Sequence, residues 1–331
     1  MANFDGGTLA RRNPWHGKHS ALAAAWDYSA RQLSSLVESG KTEGVMTLGL
    51  AGSYARMEAG PAGDLDLVIL VDDPLPDDLA QEVDERVRRS ARDQGFHLPQ
   101  SHGIFARPVR EAELFAPVIG QIDESPRTFG LRIQWLLEMQ PLQGAREFQR
   151  IQRRIVERYA TDFVTAGPEK QWIYLLNDTI RYFRSLFLKY QWESRDNPAR
   201  WELRNLKGRH SRTVLYAGLL FLLGESGIRK ADKVEWLLNS LQLTPLERIA
   251  AIYQQYADNN LITVLNSYGE FVAWSGAEAS RKTLGTAGMG RRSAEYLHWK
   301  QNADLLQQEL IRFTLDRRSD WSPRFFQRLF F

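Results

Sequence analysis

The 331-residue sequence predicts a small mixed α/β domain followed by a larger all-α domain. Three observations carry that expectation. Short apolar runs at 45–50 and 64–71 are separated by glycine-bearing turns, a strand pattern. Beyond residue 128, apolar residues recur at helical spacing almost to the end. The charge also divides: residues 1–150 hold 16 Lys+Arg and 21 Asp+Glu, whereas residues 151–331 hold 27 and 19. An acidic part joined to a basic part suits two domains sharing an anionic ligand.

In chain order, residues 1–17 read as an N-terminal arm. Residues 18–144 form the α/β domain and 145–331 the helical, basic domain. Residues 19–39 have helical spacing, with Gly40 as the stop. Residues 45–50 read as a buried strand, followed by a turn at Gly52-Ser53. Residues 64–71 start as alternating Asp-Leu-Asp-Leu and end fully apolar, a second strand. Residues 77–94 form a charged amphipathic helix with Asp77 as N-cap and Gly95 as stop. Residues 103–109 make a third strand. Helices are then expected at 129–139, 145–159, 169–192, 201–223, 230–239, 245–268 and 294–315, with a connecting loop at 284–290.

Composition removes several function classes. There is no cysteine, which excludes disulfide scaffolds, thiolate zinc sites and a cysteine nucleophile. The first twenty residues lack an apolar signal core, and the most apolar run, 214–223, is far short of the roughly 20 residues that span a bilayer. The expectation is a cytoplasmic protein that does not use a membrane.

Asp64 and Asp66 are the informative pair. Residues i and i+2 of a strand point to one face, so the two carboxylates project together and repel unless a cation lies between them. A hard cation such as Mg²⁺ (or Mn²⁺) takes one or two carboxylates and completes its shell with water and substrate phosphates. Gly52 lets the backbone approach a phosphate closely, and Ser53 offers a hydroxyl and an amide. His97, His102 and His210 lack metal-ligand spacing and read as structural or surface groups. The glycine-rich 284–290 stretch lacks the Lys-Ser/Thr of a Walker A loop.

The stretch GSYARMEAGPAGDLDLVIL resembles the signature of the DNA polymerase β-like nucleotidyltransferase superfamily, over some 30 residues. Gly52 and Ser53 match its phosphate-binding turn, Asp64 and Asp66 its first two metal-binding carboxylates, and Arg56 and Glu58 an Arg-x-Glu stretch frequent in bacterial members, which assigns Arg56 to nucleotide binding. The resemblance implies transfer of an NMP from an NTP to an acceptor (protein, RNA end, nucleotide or small molecule) with release of pyrophosphate. It also implies a third carboxylate that serves as metal ligand and base. The expected strand carries no acid, so the candidates are Glu111, Glu113, Asp123, Glu124 and Glu138, with Asp123 preferred. In the basic half, Asn177, Arg181 and Arg184 share one helical face, and Arg204, Lys207 and Ser211 another. Similar enzymes hold the triphosphate with a Lys and a Ser from the helical domain, which assigns nucleotide binding to Lys207 and Ser211. A chain lacking the third acid would instead be an inactive NTP-sensing module.

Overall fold

The computed structural model describes residues 11–38, 42–99, 104–116, 124–160, 171–196, 201–229, 231–278, 280 and 290–330. The expected 284–290 loop, His102 and Asp123 therefore fall largely or wholly outside the described residues, as does most of the arm. Contacts divide the chain into two units. Unit 1 holds residues 24–59 and 63–156 with the first thirteen residues. Unit 2 holds 14–23, 60–62 and 157–331.

Unit 1 is built on a small mixed sheet: β1 (Val45–Ala51), β2 (Asp66–Val71), β3 (Val109–Arg110) and β4 (Gln140–Gln143), in the order β3-β2-β1-β4. β1 is antiparallel to β2 and to β4, and β2 is parallel to β3. A parallel pair needs a long crossover. Helix α3 (Asp77–Asp93) supplies it, preceded in the chain by α1 (Ser20–Glu38) and the single turn α2 (Gly52–Ala55). Leu67 to Val71 are all at most 2 % exposed, which explains why alternation fades into a continuous apolar run.

Several expectations change here. The second ladder starts at Asp66, and Asp64 makes only an isolated parallel bridge with His97. The third strand is two residues long, because residues 104–107 turn before Val109 reaches the sheet. No strand was expected at 140–143, between the helices at 129–139 and 145–159, yet β4 forms there with Pro141 in it. A proline is tolerated because β4 is an edge strand. Asp77 is not the N-cap of α3. Pro76 holds that position without a side-chain cap, and Asp77 Oδ1 accepts from Arg110 Nη2 at 2.7 Å.

After β3 come α4 (Glu111–Leu114), α5 (Pro126–Leu137) and α6 (Ala145–Tyr159). The sequence placed the domain boundary before α6, whereas most of this helix belongs with the sheet. Phe148 stacks on Trp135 at 4.8 Å, and the Gln152 side-chain amide donates to the Trp135 carbonyl at 3.4 Å.

Unit 2 is helical: α7 (Ile173–Asp196), α8 (Trp201–Lys207), a π-helical turn at Gly208–Arg212, α9 (Thr213–Ile228), α10 (Lys233–Ser240), α11 (Pro245–Gln255), α12 (Leu261–Gly276), α13 (Ala294–Asp316) and α14 (Pro323–Phe330). α9 is apolar nearly all round and forms the centre of this unit. The helix expected over 245–268 is two helices. Ala257 adopts φ +50°, and the Asp258 side chain accepts the Asn260 N–H at 2.9 Å, closing a turn between them. Close to this turn, the Trp321 ring lies where a Cβ on Gly224 would sit. Next to it, buried Glu225 accepts from Gln255 Nε2 (2.5 Å), Tyr256 Oη (2.8 Å) and Trp321 Nε1 (3.2 Å), fixing the segment that leads into α14 to α9 and to the end of α11.

Candidate functional site

β1 ends at Ala51, and the chain turns immediately into α2. The turn requires a left-handed residue, and Gly52 supplies it with φ +67°. Ladder register pairs Ala51 with Asp66, so the first residue of β2 lies beside the start of the turn. A Cβ on Gly52 would collide with Asp66 Oδ2, so any other residue there would push this carboxylate from its place. The turn closes through Arg56 N–H to Gly52 O at 3.2 Å and Glu58 N–H to Ser53 O at 2.8 Å.

Leu65 is fully buried, and its N–H donates to the His97 carbonyl at 2.7 Å. The half-buried acids Asp64 and Asp66 flank it, so alternation sets both on the face opposite Leu65. Ser53 is likewise half-buried. Tyr54, beside it, packs edge-on to Phe96 at 5.6 Å. Burial, then hydrogen bonding to Tyr28 and the nearby charge of Asp64, drive the Tyr54 hydroxyl well above the ordinary phenol range, so it stays protonated.

Arg56 was expected to contact nucleotide. It is 8 % exposed, and its guanidinium grips Glu58 Oε2 at 2.7 Å and the buried Glu138. These bonds make it a brace between the end of α2 and the end of α5. The candidate third acids among the described residues are likewise engaged by arginines. Glu111 takes Arg150 Nη1 at 2.9 Å and also Arg154. Glu113 takes Arg107 at 3.1 Å and also Arg127. Glu124 is buried against Arg132, and Glu138 against Arg56. Among the described residues, no three His, Cys, Asp or Glu side chains gather into a metal-holding group. Asp123 lies outside the described residues.

Asp64 and Asp66 nevertheless offer a donor set suited to Mg²⁺ or Mn²⁺: hard oxygens, two charges, one face, and a backbone turn without a Cβ next to one of them.

In unit 2, Lys207 ends α8, and Ser211 lies in the π-helical turn. Their expected relation assumed continuous α-helix. The π-turn widens the helix there, a local irregularity frequent at functional sites. His210, within the same turn, is fully buried against Phe271, ring centroids 3.9 Å apart, as its structural reading expected. Burial lowers its pKa to about 4, aided by neighbouring Arg209. Hydrogen bonds to Leu206 O (2.8 Å) and Asn302 Oδ1 (2.9 Å) act in the opposite direction.

One exposed feature of this unit escaped the sequence reading. The face expected to hold Asn177, Arg181 and Arg184 continues through Leu188, Gln191 and Trp192, with Leu188 65 % and Trp192 61 % exposed. The helical spacing of RYFRSLFLKYQW carried that signal, but only its Asn177, Arg181 and Arg184 face was drawn from it. Among the described residues, no helix is long and apolar enough to cross a membrane. No protein-family model, no curated protein and no solved structure matches the chain.

Proposed function

We propose that this chain is a divalent-cation-dependent nucleotidyltransferase. An acceptor hydroxyl would form a bond to the α-phosphorus of an NTP, the bond from that phosphorus to the β-phosphate bridge would break, and pyrophosphate would leave. The observation that supports this most is the close approach of the left-handed Gly52 to the Asp66 carboxylate, with Asp64 two residues earlier in the chain. It supports the reading because a turn able to approach phosphate lies against a carboxylate that comes fourteen residues later in the sequence.

Mg²⁺ or Mn²⁺, when bound, supplies charge that offsets the phosphates. Asp64 and Asp66 would hold it. The Gly52-Ser53 backbone and the Ser53 hydroxyl would orient the β and γ phosphates. Arg56 keeps the end of the turn in place through Glu58 and Glu138. Lys207 and Ser211 are proposed triphosphate contacts, and Lys207→Ala is expected to lower NTP affinity about tenfold or more, as for loss of a charge-assisted hydrogen bond.

The test incubates the protein with each α-labelled NTP and Mg²⁺ or Mn²⁺, with and without cell extract. Label in protein, RNA or a small product names the acceptor class. Full transfer by the Asp64→Asn, Asp66→Asn double variant overturns the assignment.

A second reading is an NTP-sensing module without chemistry. The arginine pairing of Glu111, Glu113, Glu124 and Glu138 favours it, because these acids are already neutralised. NTP binding without pyrophosphate release under all these conditions selects this reading.

A further inference from the structure

We propose that the exposed face of α7, with the pocket at its C-terminal end, binds single-stranded nucleic acid. The proposal concerns binding by unit 2 and does not depend on nucleotidyl transfer.

At 3.6 residues per turn, Tyr174, Asn177, Arg181, Arg184, Leu188 and Trp192 fall within an arc of about 100°. That arc extends about 27 Å along the helix from Tyr174 to Trp192, at 1.5 Å per residue. The opposite arc is packed: Leu175, Leu176 and Thr179 are at most 1 % exposed. Asp178, at the edge between the two arcs, is buried and accepts from the Tyr159 hydroxyl. The outer arc is therefore a surface by construction. It exposes 64 % of Tyr174, 65 % of Leu188 and 61 % of Trp192, and its described residues include no acid. Arg181 pairs with Asp178 at the arc's edge at 3.5 Å.

The pattern of groups decides between partners. A helix or protein groove that docks on a helix reads a continuous apolar seam at i, i+3, i+4 and i+7. Here the apolar groups are interrupted by Asn177, Arg181 and Arg184 between Tyr174 and Leu188. Cations alternating with flat rings suit a strand that carries a phosphate on every unit and an unstacked base beside it.

The C-terminal end of the face adds a concave site. Phe187, Tyr190 and Gln191 of α7, with Trp201 and Asn205 of α8, line a pocket of about 390 Å³. Its walls are aromatic apart from Leu188, and Gln191 and Asn205 carry amides; Asn205 Oδ1 already accepts from Tyr296 Oη at 3.0 Å, so its NH₂ is the group it can turn to a base edge. The Arg291 guanidinium covers the Trp201 ring at 4.0 Å, adding positive charge at the rim. The size suits one small flat ligand group rather than a folded element. Bases would occupy the pocket and stack on Trp192, while the phosphates meet Arg181 and Arg184.

The experiment measures fluorescence anisotropy of labelled oligonucleotides of about 12 nucleotides with the full chain, in chelator and without NTP. Single-stranded RNA and DNA of simple sequence are the probes, and an RNA duplex is the control. Both single strands are expected to bind, with the duplex about tenfold weaker. Either ranking of RNA and DNA supports the surface, the difference reporting contact with the 2′-hydroxyl. Trp192→Ala should weaken binding about tenfold, as for one lost stacking contact. Arg184→Ala should reduce the slope of log affinity against log salt by about one. Both residues are exposed, so circular dichroism should show an unchanged fold. Equal duplex binding, or affinity unaltered by Trp192→Ala, overturns the proposal. So does a concentration-dependent dimer abolished by Trp192→Ala, which would assign the face to a second copy of the chain.

Discussion

The carboxylate of Asp66 occupies the space that a side chain at residue 52 would need. Gly52 is therefore held by two demands at once, its left-handed φ of +67° and the acid against it. Gly52→Ala should lose at least the ~1–2 kcal/mol that the left-handed conformation costs an L-residue. It should also displace Asp66 and abolish transfer. Urea midpoints and labelled-NTP turnover on the same preparation check both effects. A variant of parental stability and activity would show that the turn relaxes freely.

Asp64→Asn and Asp66→Asn remove charge from the shared face without changing shape. Transfer is expected to fall on the order of 10²-fold or more, since cation-assisted charge stabilisation is worth several kcal/mol. Thermal melting in chelator should be unchanged or slightly raised, because the two like charges no longer repel. A cooperative melt at markedly lower temperature would instead mean that these acids serve the fold.

The Arg56–Glu58–Glu138 group is a buried charge network, and its removal is asymmetric. Arg56→Met leaves two buried carboxylates facing each other and should cost about 3–5 kcal/mol. The triple change Arg56→Met, Glu58→Gln, Glu138→Gln should recover part of that loss. Urea denaturation of both variants tests the pairing, and a loss under 1 kcal/mol for Arg56→Met would refute it.

Stability should fall with acidity below neutral pH, and His210 is one cause. Its folded pKa, about 4, lies below its ordinary value of 6.5 because burial opposes charging. Between those two values the unfolded chain binds the extra proton and the native chain does not. Stability is thus lost as pH falls from about 6.5 toward 4, by roughly 3 kcal/mol across the window. His19, also lowered by burial, adds a slope of the same sign. Asp258 is lowered from 3.8, so its contribution is lost only below this window. The comparison is the pH slope of the urea midpoint for His210→Gln against the parent. An equally steep slope in the variant would remove His210 as a cause.

What the sequence made legible follows the range of the interactions concerned. β1, the Gly52 turn and β2 depend on local alternation and a local glycine, and all three were readable. Ala145–Tyr159 was readable as a helix but not as part of unit 1, because that depends on Phe148 meeting Trp135. Pro141 concealed β4, since proline rules out a central strand and its edge position is a property of the whole sheet. The fates of Glu124 and Glu138 were equally hidden. A carboxylate looks the same in sequence whether it will hold a cation or an arginine from another element.

The sheet beneath the candidate site is closed at both margins. On one side β3 offers only two residues of backbone, and on the other β4 includes a proline with no N–H to donate. A passing strand from another molecule finds too few groups to pair with at either edge. The layer carrying Asp66 is thereby protected from edge-to-edge aggregation, so concentrated or crowded solutions should not extend it strand by strand.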